Sequence, residues 1–177
     1  MGVEMGYDIM WFACQLASCN PATVMDAIIF EQQKAVAELL EQSGMTMQET
    51  RSSSGVTIQT LVPKSGKNSE IDGKQADKVP PPKPGRQGLA ELLKPTDRKM
   101  LQEKIAAAMP GDWKLLDDSE RETTWQSGKG AVQIGWHGTY VIGTGYGNFE
   151  DGLDAANSAL TSSGLTGFDP QSGTTLP

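Results

Sequence analysis

The hydrophobic positions near the start of the chain predict a long helix. Asn20 is a favourable N-cap, Pro21 is a favourable first helical residue, and Gly44 supplies a stop. Together they predict a helix over about residues 21–43. Its apolar residues recur at spacings of three and four: Met25, Ile28, Ile29, Val36, Leu39 and Leu40.

Residues 8–18 predict a second, shorter helix that is apolar on nearly all sides. A short helix that carries Trp and Phe needs a cover, and in a small chain another copy or another protein supplies it. The two helices therefore provide one set of candidate partner-binding residues: Trp11, Phe12, Leu16, Met25, Ile28, Ile29, Val36 and Leu40.

A hairpin and a linker are predicted next. Alternating residues at 45–47 and 56–62 flank RSSSG and predict a β-hairpin. Residues 63–88 are almost free of apolar side chains, which is typical of a linker. Within them, Pro81, Pro84 and Arg86 fit a pattern that docks on SH3-like domains, and a plain spacer remains the alternative.

The rest of the chain predicts a small antiparallel sheet flanked by helices. Helices are expected at 89–93, at 96–108 with Thr96 as its cap, and after Asn148. Four strand candidates lie between them: Trp113–Leu116, Glu122–Gln126, Ala131–Trp136 and Thr139–Ile142. Residues 165–177 show no periodicity and predict a flexible tail or arm.

The fold class that follows is α+β with four regions. These are an N-terminal helical pair with a β-hairpin (1–62), a Pro-rich linker (63–88), a small α+β domain (89–164) and the tail (165–177).

Charge narrows the classes of partner. The chain has 15 basic and 22 acidic residues, a net charge of −7. An acidic chain gains nothing from phosphate counterion release, so nucleic acid is an unlikely partner. Asn20-Pro21 and Asp26 interrupt the apolar stretch, so no membrane span is expected.

The two cysteines are relevant to the redox state of the cellular compartment in which the protein is found. On one predicted helix, Cys14 and Cys19 would point in different directions, which favours free buried thiols in a reducing compartment. With a single histidine in the chain they cannot complete a zinc site. Leu16-Ala17-Ser18-Cys19 resembles a lipobox, but acidic residues precede it. A cytoplasmic or virion-associated location is favoured over export, and lipid attachment remains an alternative.

Candidate chemistry is sparse. His137 is the single histidine, and no sequence signal fixes a nucleophile or carboxylate beside it. The run Gly143-Thr-Gly145-Tyr-Gly147 departs from GxGxxG and predicts turns. No cofactor, metal or enzymatic activity is expected. Four aromatic residues form a second set of candidate protein-binding residues: Trp125, Trp136, Tyr140 and Tyr146.

Two functions remain open from the sequence. The first is a non-enzymatic structural or accessory subunit of a larger virion-like or secretion-like assembly. It would associate through the apolar N-terminal helices with protein partners, which include copies of itself. The alternative is a small soluble acidic protein-binding module of inhibitor or immunity type, which acts through the aromatic strands of residues 122–149.

Overall fold

The structure is a computed structural model. It describes residues 7–51, 57–63 and 87–176, with side chains outside 47–60. The described residues mix helices and strands, and an antiparallel sheet dominates. The helices are α1 (Pro21–Gln42), α2 (Leu89–Leu92), α3 (Arg98–Ala108) and α4 (Glu150–Thr161). The strands are β1 (Tyr7–Phe12), β2 (Met45–Arg51), β3 (Thr57–Pro63), β4 (Lys114–Asp118), β5 (Glu122–Gln126), β6 (Gly130–Trp136), β7 (Tyr140–Gly147), β8 (Thr166–Asp169) and β9 (Thr174–Leu176).

The first strand corrects the prediction of a helix over residues 8–18. The seven-stranded sheet has the order β4-β5-β6-β7-β1-β8-β9, so β1 lies inside it. Ile9 and Trp11 face one side of the sheet and Met10 and Phe12 the other, and all four are buried. A strand that is buried on both faces has a continuous apolar run, which periodicity cannot distinguish from a buried helix.

The C-terminal residues correct the prediction of a flexible tail. β8 pairs with β1, β9 pairs with β8, and Phe168 is buried. Both strands are too short for alternation to be visible in the sequence. They are ordered because β1 offers an edge for hydrogen bonding to β8, and β8 in turn offers one to β9.

Contacts divide the described residues into two units. Residues 7–24 and 88–176 form the sheet unit, and residues 25–51, 57–63 and 87 form the helix–hairpin unit. This division differs from the predicted boundaries at 62 and 89, because β1 pairs with β7 and β8, far along the chain.

The predicted helix over 21–43 agrees closely with α1. Asn20 Oδ1 accepts a hydrogen bond from the Thr23 backbone N–H at 3.1 Å, and Thr23 Oγ1 accepts one from the Asn20 N–H at 3.0 Å. This reciprocal cap fixes the start of the helix. Gly44, at φ +67°, follows its end.

The predicted hairpin is also present, as the antiparallel pair β2–β3 with Met45 opposite Pro63. Its turn lies outside the described residues. So does most of the predicted linker, including the candidate docking motif Pro81, Pro84 and Arg86.

The C-terminal strands agree with the predicted order, but local details differ. Asp97, not Thr96, caps α3, because Asp97 Oδ1 accepts from the Met100 N–H at 3.1 Å. Thr96 instead donates its backbone N–H to the Gly138 carbonyl at 2.7 Å. Phe149, not Asn148, occupies the N-cap position of α4.

The main core lies on the face of the sheet that α4 covers, with α3 packed beside α4. Trp136 Nε1 donates to Thr123 Oγ1 at 2.9 Å in this core, and the Thr123 hydroxyl donates to Asp118 Oδ1 at 3.2 Å. Arg98, at the start of α3, also binds Asp118, at 2.7 Å. This chain of polar contacts fixes α3 to the β4–β5 connection.

The two cysteines form a disulfide, which corrects the prediction of free thiols. β1 ends at Phe12 and α1 begins at Pro21, so both cysteines lie in the connecting loop, with their Cα atoms 5.7 Å apart. Disulfides persist mainly in oxidising environments, which weighs against a reducing compartment. Cleavage before Cys19, the site that the lipobox resemblance indicates, would separate β1 from β7 and β8.

Candidate protein-binding surfaces

The clearest exposed apolar surface lies on α1. Ile29 is 45% exposed, Val36 is 46% exposed and Leu39 is 64% exposed. Because these residues are seven and three positions apart, they lie along one side of the helix. We call these three side chains the α1 stripe. Exposed aliphatic side chains on one helix side are a feature of surfaces that another protein covers.

The other N-terminal candidates divide between surface and interior. Leu16 is exposed, in the disulfide loop, whereas Met25 and Leu40 are half-buried. Ile28 is buried. Trp11 and Phe12 are buried in the sheet unit, so they are not available to a partner while β1 stays in the sheet.

The aromatic candidates lie mostly inside the fold. Trp125 and Trp136 belong to the main core, and Tyr140 is also buried. Tyr146 differs from them, because it is 39% exposed and lies on the opposite face of β7 from Val141 and Gly143. Of the four, the structure therefore leaves Tyr146 accessible.

A row of polar side chains lies beside Tyr146 on that face. The Tyr146 hydroxyl donates to Gln133 Oε1 at 3.3 Å. The strand register places Thr124 opposite Gln133, Gln133 opposite Thr144, and Thr144 opposite Asp8. All four residues of this row are half-buried. The face can offer hydroxyl, amide and carboxylate groups to a partner.

His137 stacks on Tyr140 instead of facing a catalytic partner. The two ring centroids are 4.5 Å apart and the planes differ by 5°. Although His137 is exposed as a whole residue, this contact removes water from part of its ring, which lowers its pKa below the ordinary value of 6.5. The His137 N–H donates to the Tyr140 carbonyl at 3.1 Å, so the turn is centred on Gly138 and Thr139, one residue later than His137-Gly138.

The glycines at 143–147 belong to a strand and not to a predicted run of turns. Gly143 and Gly145 lie within β7, and Gly147 alone of the three has a positive φ. A Cβ at Gly143 would lie 2.6 Å from a ring carbon of Trp11. At Gly145 it would overlap the ring of Phe149. These positions need glycine because aromatic rings pack against the strand.

Asp169 is a buried carboxylate with an internal role. Burial alone would raise its pKa, but hydrogen bonds from Ser172, Tyr7 and the Gln171 and Ser172 backbone hold the pKa below its ordinary value. The Tyr7 hydroxyl donates to Asp169 Oδ2 at 2.8 Å, and this bond raises the pKa of Tyr7. The hydrogen bonds to Asp169 join β1 to the β8–β9 turn, and we assign this carboxylate no catalytic role.

The edge strand β4 is a surface that sequence reasoning missed. Leu115 is 47% exposed and Leu116 is 66% exposed, and a bulge separates Leu115 from Asp117. A cavity of about 390 Å³ includes both leucines in its lining, and one of about 320 Å³ is lined by Leu115 and Trp125. The sequence signal for this surface was the pair Leu115-Leu116, because two consecutive apolar residues break the apolar–polar alternation of a regular strand. Because bulges and charged residues oppose strand addition at sheet edges, we do not treat β4 as the main binding surface.

Two further observations concern the described part of the chain. No group of three or more His, Cys, Asp or Glu side chains there is arranged to hold a metal ion. None of the helices described has the length and apolarity that crossing a bilayer requires.

Comparison with known proteins does not extend this description. The chain matches no family model, no curated protein and no solved structure.

Proposed function

We propose that this chain is a non-enzymatic structural or accessory subunit of a larger protein assembly, virion-like or secretion-like, and that it associates through the α1 stripe. The observation that carries the proposal is the exposure of Ile29, Val36 and Leu39 on one side of a capped helix. Fully burying a side chain of this size stabilises an interface by about 1.5–3 kcal/mol. The three side chains of the stripe are already partly covered, so burying their remaining area contributes part of that amount each, and together they favour association with protein over continued contact with water.

The structure changes which residues support this role. The sequence suggested a pair of helices, and β1 now takes Trp11 and Phe12 into the sheet. The α1 stripe therefore carries the proposal, together with Leu61, which is also exposed in the helix–hairpin unit.

The size of the native species tests the proposal. The protein would be followed by gel filtration of extracts from the cells that produce it, beside the purified chain. We expect the extract to contain a species larger than any that the purified chain forms. Val36→Lys should release the protein from that species. Glu41→Gln adds the same unit of positive charge at an exposed helix position outside the stripe, and it should leave the species intact.

A second candidate is an acidic protein-binding module of inhibitor or immunity type, which acts through residues 122–149. The observation that favours it is the exposed Tyr146 beside the polar row of Gln133 and Thr144. The same extracts separate the two candidates. If Tyr146→Ser releases the protein and Val36→Lys does not, the aromatic strands carry the function and the first proposal is wrong.

A further inference from the structure

The α1 stripe belongs to a longer row with heptad spacing. Met25, Ile29, Gln32, Val36 and Leu39 follow one another at intervals of four, three, four and three residues. In heptad terms, Ile29 and Val36 occupy a positions, whereas Met25, Gln32 and Leu39 occupy d positions. Among parallel coiled coils, β-branched residues at a with Leu at d favour two helices over larger bundles, and Ile29, Val36 and Leu39 follow this rule.

From Ile29 onward, the positions that flank this row carry no charge, whereas Asp26 flanks Met25 at an e position. Between Ile29 and Gln42, the e and g positions are Gln33, Ala35, Leu40 and Gln42. The charged residues of this stretch lie on the remaining positions, where Lys34 and Glu38 form an ion pair at 3.9 Å. Two identical copies would therefore bring no like charges together beside the row from Ile29 to Leu39, although the whole chain carries a net charge of −7.

We infer that α1 pairs with α1 of a second copy of this chain, in parallel and in register. This inference rests on the proposed function and names the partner of the α1 stripe. In the pair, Ile29, Val36 and Leu39 contact their own counterparts across the axis. Gln32 faces Gln32, and a polar residue at one core position fixes the register because an offset pairing would leave its amide unmatched. The row covers little more than two heptads, so we expect a dimer that dissociates on dilution.

Sedimentation of the purified full-length chain over a range of concentrations tests the pairing. We expect a monomer–dimer equilibrium whose dissociation constant rises at least about tenfold in Val36→Lys, because a like charge would then face its own copy. Glu41→Gln should leave the constant unchanged. A monomer at every concentration would overturn the inference, and so would equal behaviour of Val36→Lys and the wild type.

Cysteine cross-linking tests the direction of the pair. Ser43 stands four residues after Leu39, at the next a position, just beyond the end of α1. In a parallel pair, Ser43→Cys should give a disulfide-linked dimer on a non-reducing gel. In an antiparallel pair the two introduced thiols would lie at opposite ends. Lys34→Cys, on the far side of the helix, is the control and should remain monomeric. Cross-linking of Lys34→Cys as efficient as that of Ser43→Cys would contradict the inference.

The two proposals fail in different ways. A purified monomer, together with a large native species that Val36→Lys disrupts, overturns pairing with a second copy and keeps the assembly role. A purified dimer, together with an extract species of the same size, keeps the pairing and overturns the larger assembly.

Discussion

Trp11 Nε1 donates a hydrogen bond to Asn157 Oδ1 at 2.8 Å, across 146 positions of sequence. The bond joins β1, inside the sheet, to α4, which covers it. Trp11 is fully buried and Asn157 is half-buried, and this amide is the acceptor that the structure provides for the indole N–H. This contact links the first strand of the chain to the helix that covers the core.

Replacing Asn157 should therefore destabilise the protein. We expect Asn157→Leu to lower the free energy of unfolding by about 1–3 kcal/mol, because a buried N–H would lose its acceptor. Chemical denaturation followed by tryptophan fluorescence measures the change. Ser158→Ala, at the exposed neighbouring position, should change stability by less than about 0.5 kcal/mol. Equal stability of the two variants would contradict the role given to this hydrogen bond.

Adding a methyl group at Gly143 should also be costly. A Cβ there would lie 2.6 Å from Trp11 and 3.2 Å from Leu153 Cδ1, inside the core. We expect Gly143→Ala to lose about 1–3 kcal/mol of stability through overpacking. Gly128→Ala is a matched control, because nothing lies within 4 Å of its added Cβ and its φ is not positive. Melting temperatures of the two variants should differ clearly, and similar melting would show that β7 can move away from Trp11.

The disulfide should be detectable as an absence of free thiol. The native, unreduced chain should not react with a thiol reagent, and the unfolded, reduced chain should expose two thiols. Cys14→Ser together with Cys19→Ser should lower stability by about 2 kcal/mol, because the closed loop no longer restricts the unfolded chain. Two reactive thiols in freshly isolated protein would instead support the reducing compartment that the sequence suggested.

The histidine gives one pH-dependent prediction. Contact with Tyr140 favours the neutral ring, so the pKa of His137 in the folded chain lies below 6.5. The unfolded chain then binds a proton more readily as the pH falls through its own pKa. Above the pKa of His137 in the unfolded chain, the neutral ring causes no loss of stability. The free energy of unfolding should then fall progressively as the pH decreases from that pKa toward the lower pKa of His137 in the folded chain.

Proton NMR tests this prediction with little ambiguity, because the chain has a single histidine. The titration midpoint in the folded protein should lie below that of the urea-unfolded protein. His137→Gln should reduce the loss of stability between about pH 8 and pH 5.5. A folded midpoint at or above the unfolded one would contradict desolvation of the stacked ring.

Local pattern determined much of this fold, because some elements carry their signals in adjacent residues. Asn20-Pro21 and Gly44 predict the limits of α1, and alternation between turn residues predicts β5 and β6. The residues of the α1 stripe can also be identified in the sequence, because they recur at helical spacing. These features depend on contacts between near neighbours, so the chain alone specifies them.

Tertiary contacts determined the type of the elements whose hydrogen-bonding partners are distant in the sequence. Residues 8–12 are apolar enough for a buried helix or a buried strand, and pairing with β7 and β8 selects the strand. That choice places Trp11 and Phe12 in the interior, brings Cys14 and Cys19 into one loop, and gives β8 an edge to pair with. The sequence by itself determined where the chain can form helices and turns. Only the long-range hydrogen bonds and packing of β1 decided which apolar residues became core and which remained on the surface.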